Sequence, residues 1–358
     1  MAIPTLVREG AAASTTSAAA SSPSWASLRS VVLGLVITLA LVDAVLHVLA
    51  PVDHHLLQTE DGVIELSRTN PNTIVLGSSY ARSFIPLRQE LERRTGRKGE
   101  LAVIPDEGGQ FIPYRDVLEG RIRPLIEERN ASGGLVRDSV RRFIFVTSHY
   151  DLCPLWAGAP NAKPAHAWHV GDFLRDARAN GITDFNRNYL RARWNRLWPW
   201  SALVQDRGVG RIQGKLRALL PGEAERQAAL IENYKAAQEA QAAECTDPAQ
   251  KQAIKDMLQY LTGRGIAVTM VLFPQDPIIV TPRSRSTTLK QYADYVAGLS
   301  ARYSVQVIDI GLDHPLGPDA FMADLDHLNP KGERQFATWA LDGPLAFLLQ
   351  PPPAGAHP

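Results

Sequence analysis

Two short segments far apart in the 358-residue chain hold residue types that could act together. Ile74-Val75-Leu76-Gly77-Ser78-Ser79 is an apolar run ending in a glycine-serine turn. Asp324-Leu325-Asp326-His327-Leu328-Asn329-Pro330 sets a carboxylate three residues before an imidazole, ahead of a proline that can open a helix. A serine hydroxyl is a weak nucleophile until a base takes its proton, and the base needs a group that fixes its tautomer. Brought together, Ser79 is the nucleophile, His327 the base and Asp324 the orienting acid, which makes serine acyl transfer the leading chemistry. Each segment alone also reads as punctuation: a serine N-cap after a strand, or a capped helix start in which Asp326 competes as the carboxylate partner.

That chemistry requires elements that carry both segments to one place. Strand-like runs fall at Thr73–Leu76, Leu101–Ile104, Phe143–Thr147, Ala267–Phe273 and Val305–Ile310. Helical patterns at Pro86–Arg94, Tyr114–Glu128, Ala249–Thr262 and Thr288–Tyr303 separate them. Apolar strands alternating with helices predict a three-layer α/β/α domain on a five-stranded parallel sheet, spanning residues 73–350. Such sheets bind ligands at the carboxyl ends of their strands. Ser79, Gly108-Gly109, His149-Tyr150-Asp151 and Asp324/His327 all fall at that edge. The Ser79 N–H, at the mouth of a helix, suits a developing oxyanion, and Gly109 suits a second donor because glycine lets backbone approach substrate closely.

The stretch 152–248 breaks the alternation and is too long for a plain loop, so a helical insertion over or beside the site is expected. It carries Trp156, Trp168, Trp194, Trp198 and Trp200, then a helix-forming run from Ala224 to Ala243. These tryptophans either pack the insertion onto the sheet or line a cleft for a sugar or acyl chain. Cys153 and Cys245 are the two cysteines, either one long-loop disulfide or two buried thiols. No C-x-x-C or clustered histidines suggest a metal, no cofactor is expected, and a formal net charge of +1 gives no electrostatic reason for a nucleic-acid partner.

Residues 1–30, with an Ala/Ser/Thr-rich stretch, are expected to be a disordered cytoplasmic tail. Val31 to Ala50 is nearly all apolar and, as a helix about 30 Å long, could cross a bilayer. Arg8 and Arg29 before it, and Asp53, Glu60 and Asp61 after it, orient the body outward, giving a single-pass protein of the cytoplasmic membrane with a periplasmic or extracytoplasmic domain. A cleaved signal peptide is the rival reading, against which stand the long leader and Pro51. Asp43 and His47, four apart in the span, either meet a polytopic partner or reach the headgroup level. Residues 51–72 read as a juxtamembrane linker and 351–358 as a disordered tail.

The blocks together resemble the SGNH, or GDSL-like, hydrolase superfamily over roughly Thr73 to Leu349. Gly77-Ser78-Ser79 is similar to its G-D-S block with Ser for Asp. Glu107-Gly108-Gly109-Gln110 is similar to the block with the oxyanion glycine, where Gly108 matches nearly as well as Gly109. Asp324 to Gly332 is closely similar to the D-x-x-H block. In the third block the family has Asn in G-x-N-D, whereas Thr147-Ser148-His149-Tyr150-Asp151 has Tyr150 there. The resemblance implies a flavodoxin-like fold, with Ser79, Gly109 and a substitute donor from Tyr150, Ser148 or His149 forming the oxyanion hole. In layout the chain is similar to a subset anchored by one membrane helix beside a membrane-bound O-acyltransferase, such as the D-alanyl transfer protein and alginate O-acetyltransferases. This implies a serine esterase or O-acyltransferase with an acyl donor and an envelope polysaccharide as substrates. The alternative function is a non-catalytic envelope assembly factor that binds a polytopic membrane partner.

Overall fold

The computed structural model describes residues 25–49, 54–106, 108–154, 170–181, 190, 222–240, 245–322 and 324–352. They fall into two units divided after Leu49. The first contains a helix, α1 (Trp25–Leu49), which starts inside the expected tail. Most of its described apolar side chains, including Val31, Leu33, Leu35 and Leu41, are exposed. Among the described residues no helix is long and apolar enough to cross a membrane, so the span expected at residues 31–50 is not found among them. The side chains of Asp43 and His47 lie outside the described residues.

The second unit is built on five parallel strands, β1 (Thr73–Gly77), β2 (Leu101–Pro105), β3 (Arg142–Thr147), β4 (Ala267–Leu272) and β5 (Gln306–Asp309), in the order β2-β1-β3-β4-β5. The four inner and early strands are buried over nearly their whole length, which is why they read as unbroken Val, Ile and Phe runs. Alternate residues feed opposite layers. Ile74, Leu76, Phe143 and Phe145 join a core with α2 (His54–Arg68), α4 (Phe111–Val117), α7 (Pro248–Gly263) and α8 (Lys290–Tyr303). Val75, Ile144 and Val146 join the other, with α3 (Phe84–Thr95) and α9 (Pro330–Asp342). The expected α/β architecture with five parallel strands is therefore present. In this order the chain reverses direction across the sheet between β1 and β3, and the crevice opens there.

Two boundaries differ from expectation. Residues 54–68 are helical instead of forming a linker, because Val63 and Leu66 give this polar-looking stretch an apolar edge that packs on the sheet. Arg137 secures its end by donating to the Leu66 and Ser67 carbonyls, and nearer its start the Thr59 hydroxyl donates to Pro105 O. After α4 the helix continues as a π-helical turn, Leu118–Ile122, before Arg123–Ile126. Pro124 accounts for it, since its ring has no N–H and clashes with the preceding turn.

Within 152–248 the described helices are α5 (Val170–Asn180) and α6 (Glu223–Ala240). Trp156, Trp168, Trp194, Trp198 and Trp200 lie outside the described residues. Cys153 and Cys245 form a disulfide across a separation of 92 residues, so the bond staples both ends of the insertion to the domain. A loop of that size contributes about 4–5 kcal/mol in the chain-entropy model. The Cys153→Ser, Cys245→Ser double variant should unfold at lower denaturant concentration by about 3–5 kcal/mol, read from equilibrium urea curves against oxidised wild type.

Candidate active site

Gly77 ends β1 where a side chain cannot fit: a Cβ there would lie 2.5 Å from Val146 O of β3. That contact directs the chain into Ser78 and the 3₁₀ turn Ser79–Ser83, which runs into α3. Ser79 is therefore held at the sheet's carboxyl edge, buried but facing a cavity.

His327 arrives from the other end of the chain. Phe321 bridges Leu328, and the Met322 N–H donates to His327 O at 2.7 Å, which closes a short loop. Asn329 caps α9 by accepting from the N–H groups of Lys331 and Gly332, and Pro330 takes the first helical position. Phe336, fully buried against Phe84 and Phe273, fixes that helix. Full burial of one such ring contributes about 1.5–3 kcal/mol.

The expected triad assembles. His327 Nε2 lies 2.5 Å from Ser79 Oγ, and His327 Nδ1 lies 2.9 Å from Asp324 Oδ2. The other carboxylate oxygen, Asp324 Oδ1, accepts the backbone N–H groups of Asp326 and His327, each at 3.1 Å. Leu325 adopts φ +62° within this turn, a left-handed conformation uncommon for leucine, held by those two bonds. Asp326 does not take the imidazole. Its Oδ1 accepts the Tyr80 hydroxyl at 2.6 Å, and the Tyr80 ring stacks on Phe273 at 4.7 Å and tilts against His327.

Electrostatics agree with that division. Burial alone would lower the His327 pKa, but the hydrogen bond to Asp324 and the charges of Asp326 and Asp324 raise it above its ordinary 6.5. Burial likewise pushes Asp324 up, yet the His327 bond and the two backbone donors hold it below the ordinary carboxylate value. The ring thus donates from Nδ1 to an ionised Asp324 and presents Nε2 as acceptor to the serine.

The other edge residues surround a cavity of about 410 Å³, within the range of small-molecule sites. Ser78, Ser79, Gly108, Gly109, Tyr150 and Asp326 line it from the sheet side. From above, α6 contributes Leu230, Asn233, Tyr234 and Ala237 at the i, i+3, i+4, i+7 spacing of one helix face. The Asp326 and Asp324 charges both act on Tyr234, and the Thr281 hydroxyl donates to Glu239 at 2.7 Å, tying α6 down. This roof was only outlined by the sequence, because an Ala/Glu/Gln-rich helix gives no apolar stripe to mark its inner face.

One expected role does not hold as read. The Gly109 N–H donates to Asp106 O at 2.7 Å, closing the Asp106–Gly109 turn, so it is already committed. Gly109 is still required, since a Cβ would lie 2.5 Å from Asp106 O and 2.6 Å from Tyr114 Cε1. Gly108, exposed at φ +63°, is the turn residue that meets the cavity openly. Gln110, also in the wall, has its amide donating to Tyr150 O at 2.7 Å and Cys153 O at 3.0 Å. Tyr150 is largely buried, and burial, then the Asp326 charge, raise its hydroxyl pKa, so it stays protonated and able to donate. Among the described residues no His, Cys, Asp and Glu group could hold a metal ion. Compared with family models, curated proteins and solved structures, the chain matches none.

Proposed function

We propose that the second unit is a serine esterase or O-acyltransferase of the SGNH type that works through an acyl-Ser79 intermediate. The observation that carries this reading is the continuous Ser79–His327–Asp324 hydrogen-bond chain at 2.5 and 2.9 Å, opening on a cavity. A pure binding module has no need of a hydroxyl, an imidazole and a carboxylate in that order.

In this mechanism Ser79 Oγ attacks the carbonyl carbon of an ester while His327 Nε2 takes its proton. The Ser79 N–H, the Gly108 N–H in place of that of Gly109, and the Tyr150 hydroxyl meet the oxyanion. Collapse breaks the ester C–O bond, and His327 returns the proton to the departing alkoxide. The acyl-Ser79 ester is then attacked by water or by an acceptor hydroxyl, again deprotonated by His327, which regenerates Ser79.

The sequence supports placing this domain outside the cytoplasm, tethered by the apolar segment 31–50 and facing an envelope polysaccharide, with a membrane-bound O-acyltransferase as acyl source. The disulfide agrees with an oxidising compartment. Transfer is distinguished from hydrolysis by partition. With p-nitrophenyl acetate as donor, an acetylated oligosaccharide should accumulate as acceptor concentration rises while nitrophenol release is maintained. Acetate alone, at every acceptor concentration, would reduce the assignment to an esterase. Tyr150→Phe should lower kcat about 100-fold at little change in KM, and an unchanged kcat would remove Tyr150 from the oxyanion hole.

A further inference from the structure

Asp151, the last residue of the altered third block, has no part in that reaction, yet it is wholly buried and lines the cavity floor. Its Oδ2 accepts the Ser148 N–H at 2.9 Å. Its Oδ1 lies 3.2 Å from the Tyr114 hydroxyl, which also lies 3.1 Å from Gly109 O. A phenol has one proton and can donate to only one of those two oxygens. Both contacts are satisfied together only if the carboxyl donates to Tyr114 Oη and Tyr114 donates to Gly109 O.

We infer that Asp151 and Tyr114 are positioning residues for the oxyanion hole: a protonated Asp151 donates to Tyr114, which donates to Gly109 O and fixes the Asp106–Gly109 turn. This rests on the acyl-transfer reading above. The turn needs such a hold, because Gly108 and Gly109 lack side chains of their own to pack, and the Tyr114 ring lies against Gly109. If Asp151 ionises, it accepts the hydrogen bond of the Tyr114 hydroxyl, and the Gly109 carbonyl loses its donor.

Burial, and not its hydrogen-bond partners, favours the protonated form of Asp151, and the groups facing it are uncharged or far weaker than that burial. They are Tyr114 of α4, Tyr80 of the turn after β1 and Tyr292 of α8, all buried phenols, together with Ser148 and His149 of its own turn; the Ser78 hydroxyl and Asp106 act on Tyr114. Among the described residues no cation offsets the burial. Burial pushes the Asp151 carboxyl up to about 8, with smaller lowering from the Ser148 N–H and the Tyr114 hydroxyl. A neutral buried acid needs no counter-charge.

The test is the second-order rate of Ser79 labelling by a fluorophosphonate across pH 6 to 10, in wild type, Tyr114→Phe, Asp151→Ala and Asp151→Asn. Tyr114→Phe and Asp151→Ala should each label about 10- to 100-fold more slowly, the size expected when a reacting geometry shifts by about 1 Å. Asp151→Asn, whose amide N–H donates at every pH, should recover most of that loss and abolish the decline of wild type above about pH 8. Wild-type rates in Tyr114→Phe, or Asn as slow as Ala, would overturn the inference. A second measurement reads the proton without any catalysis. The folded carboxyl holds its proton to higher pH than the unfolded one, so wild-type stability must fall as pH rises from about 4 towards 8. Asp151→Asn should therefore gain thermal stability over wild type through that window, and parallel curves would also overturn the assignment. If folded wild type is not labelled while the stability curves diverge, the acyl-transfer reading fails and the neutral Asp151 stands without its catalytic role.

Discussion

Replacing Ser79 with alanine should abolish turnover of p-nitrophenyl acetate, with a fall in kcat of about 10⁶-fold, the size seen when a nucleophile acting as part of a triad is removed. The reason is local. Only the Ser79 hydroxyl lies against His327 Nε2, at 2.5 Å, and the neighbouring Ser78 faces Tyr114 and the Tyr80 N–H. Ser78 is thus not a substitute nucleophile, although the sequence alone offers two adjacent serines. The fold should survive, because removing the hydroxyl leaves β1 and the 3₁₀ turn untouched. Unchanged turnover in a folded Ser79→Ala protein would contradict the assignment.

Asp324→Asn should lower kcat by about 10⁴-fold while leaving KM nearly unchanged. The hydrogen-bond pattern dictates this. One side-chain oxygen must go on accepting the Asp326 and His327 N–H groups, since they hold the strained Leu325 turn. The amide NH₂ is then left facing Nδ1, which must become the acceptor. The ring proton moves to Nε2, and Nε2 can no longer take the serine proton. The pH profile moves as well. In wild type, activity falls as pH drops through the raised His327 pKa, because the protonated ring is no base. Loss of the Asp324 charge removes part of that raise, so the acid limb of the residual activity should shift to lower pH. A limb that stays in place, read from kcat/KM between pH 5 and 8, would show that Asp324 does not act on His327.

The strands were legible because buried parallel strands are continuous apolar runs, and β1 to β4 begin within one residue of where Val, Ile and Phe first accumulate. The triad was legible because its members lie at strand and helix ends with spacings that chemistry restricts. What remained hidden depends on three-dimensional bonding. Nothing in Gly108-Gly109 says that the second N–H closes a turn on Asp106. Residues 54–68 carry enough polar side chains to read as a linker, and only Val63, Leu66 and the Arg137 anchor make them a helix on the sheet. The burial of Asp151 among phenols comes from α4, α8 and the turn after β1, which lie far from it in sequence. The α6 roof shows the same limit, for its inner face differs from its outer face by position and not by polarity.

Acylation of Ser79 can be read by mass spectrometry of the protein after brief reaction with a fluorophosphonate or with p-nitrophenyl acetate quenched in acid. One adduct per chain is expected, mapped by peptide sequencing to Ser79, absent from Ser79→Ala and strongly reduced in His327→Ala. An adduct on any other residue, or an unmodified Ser79 in folded protein that still turns over the ester, would contradict it.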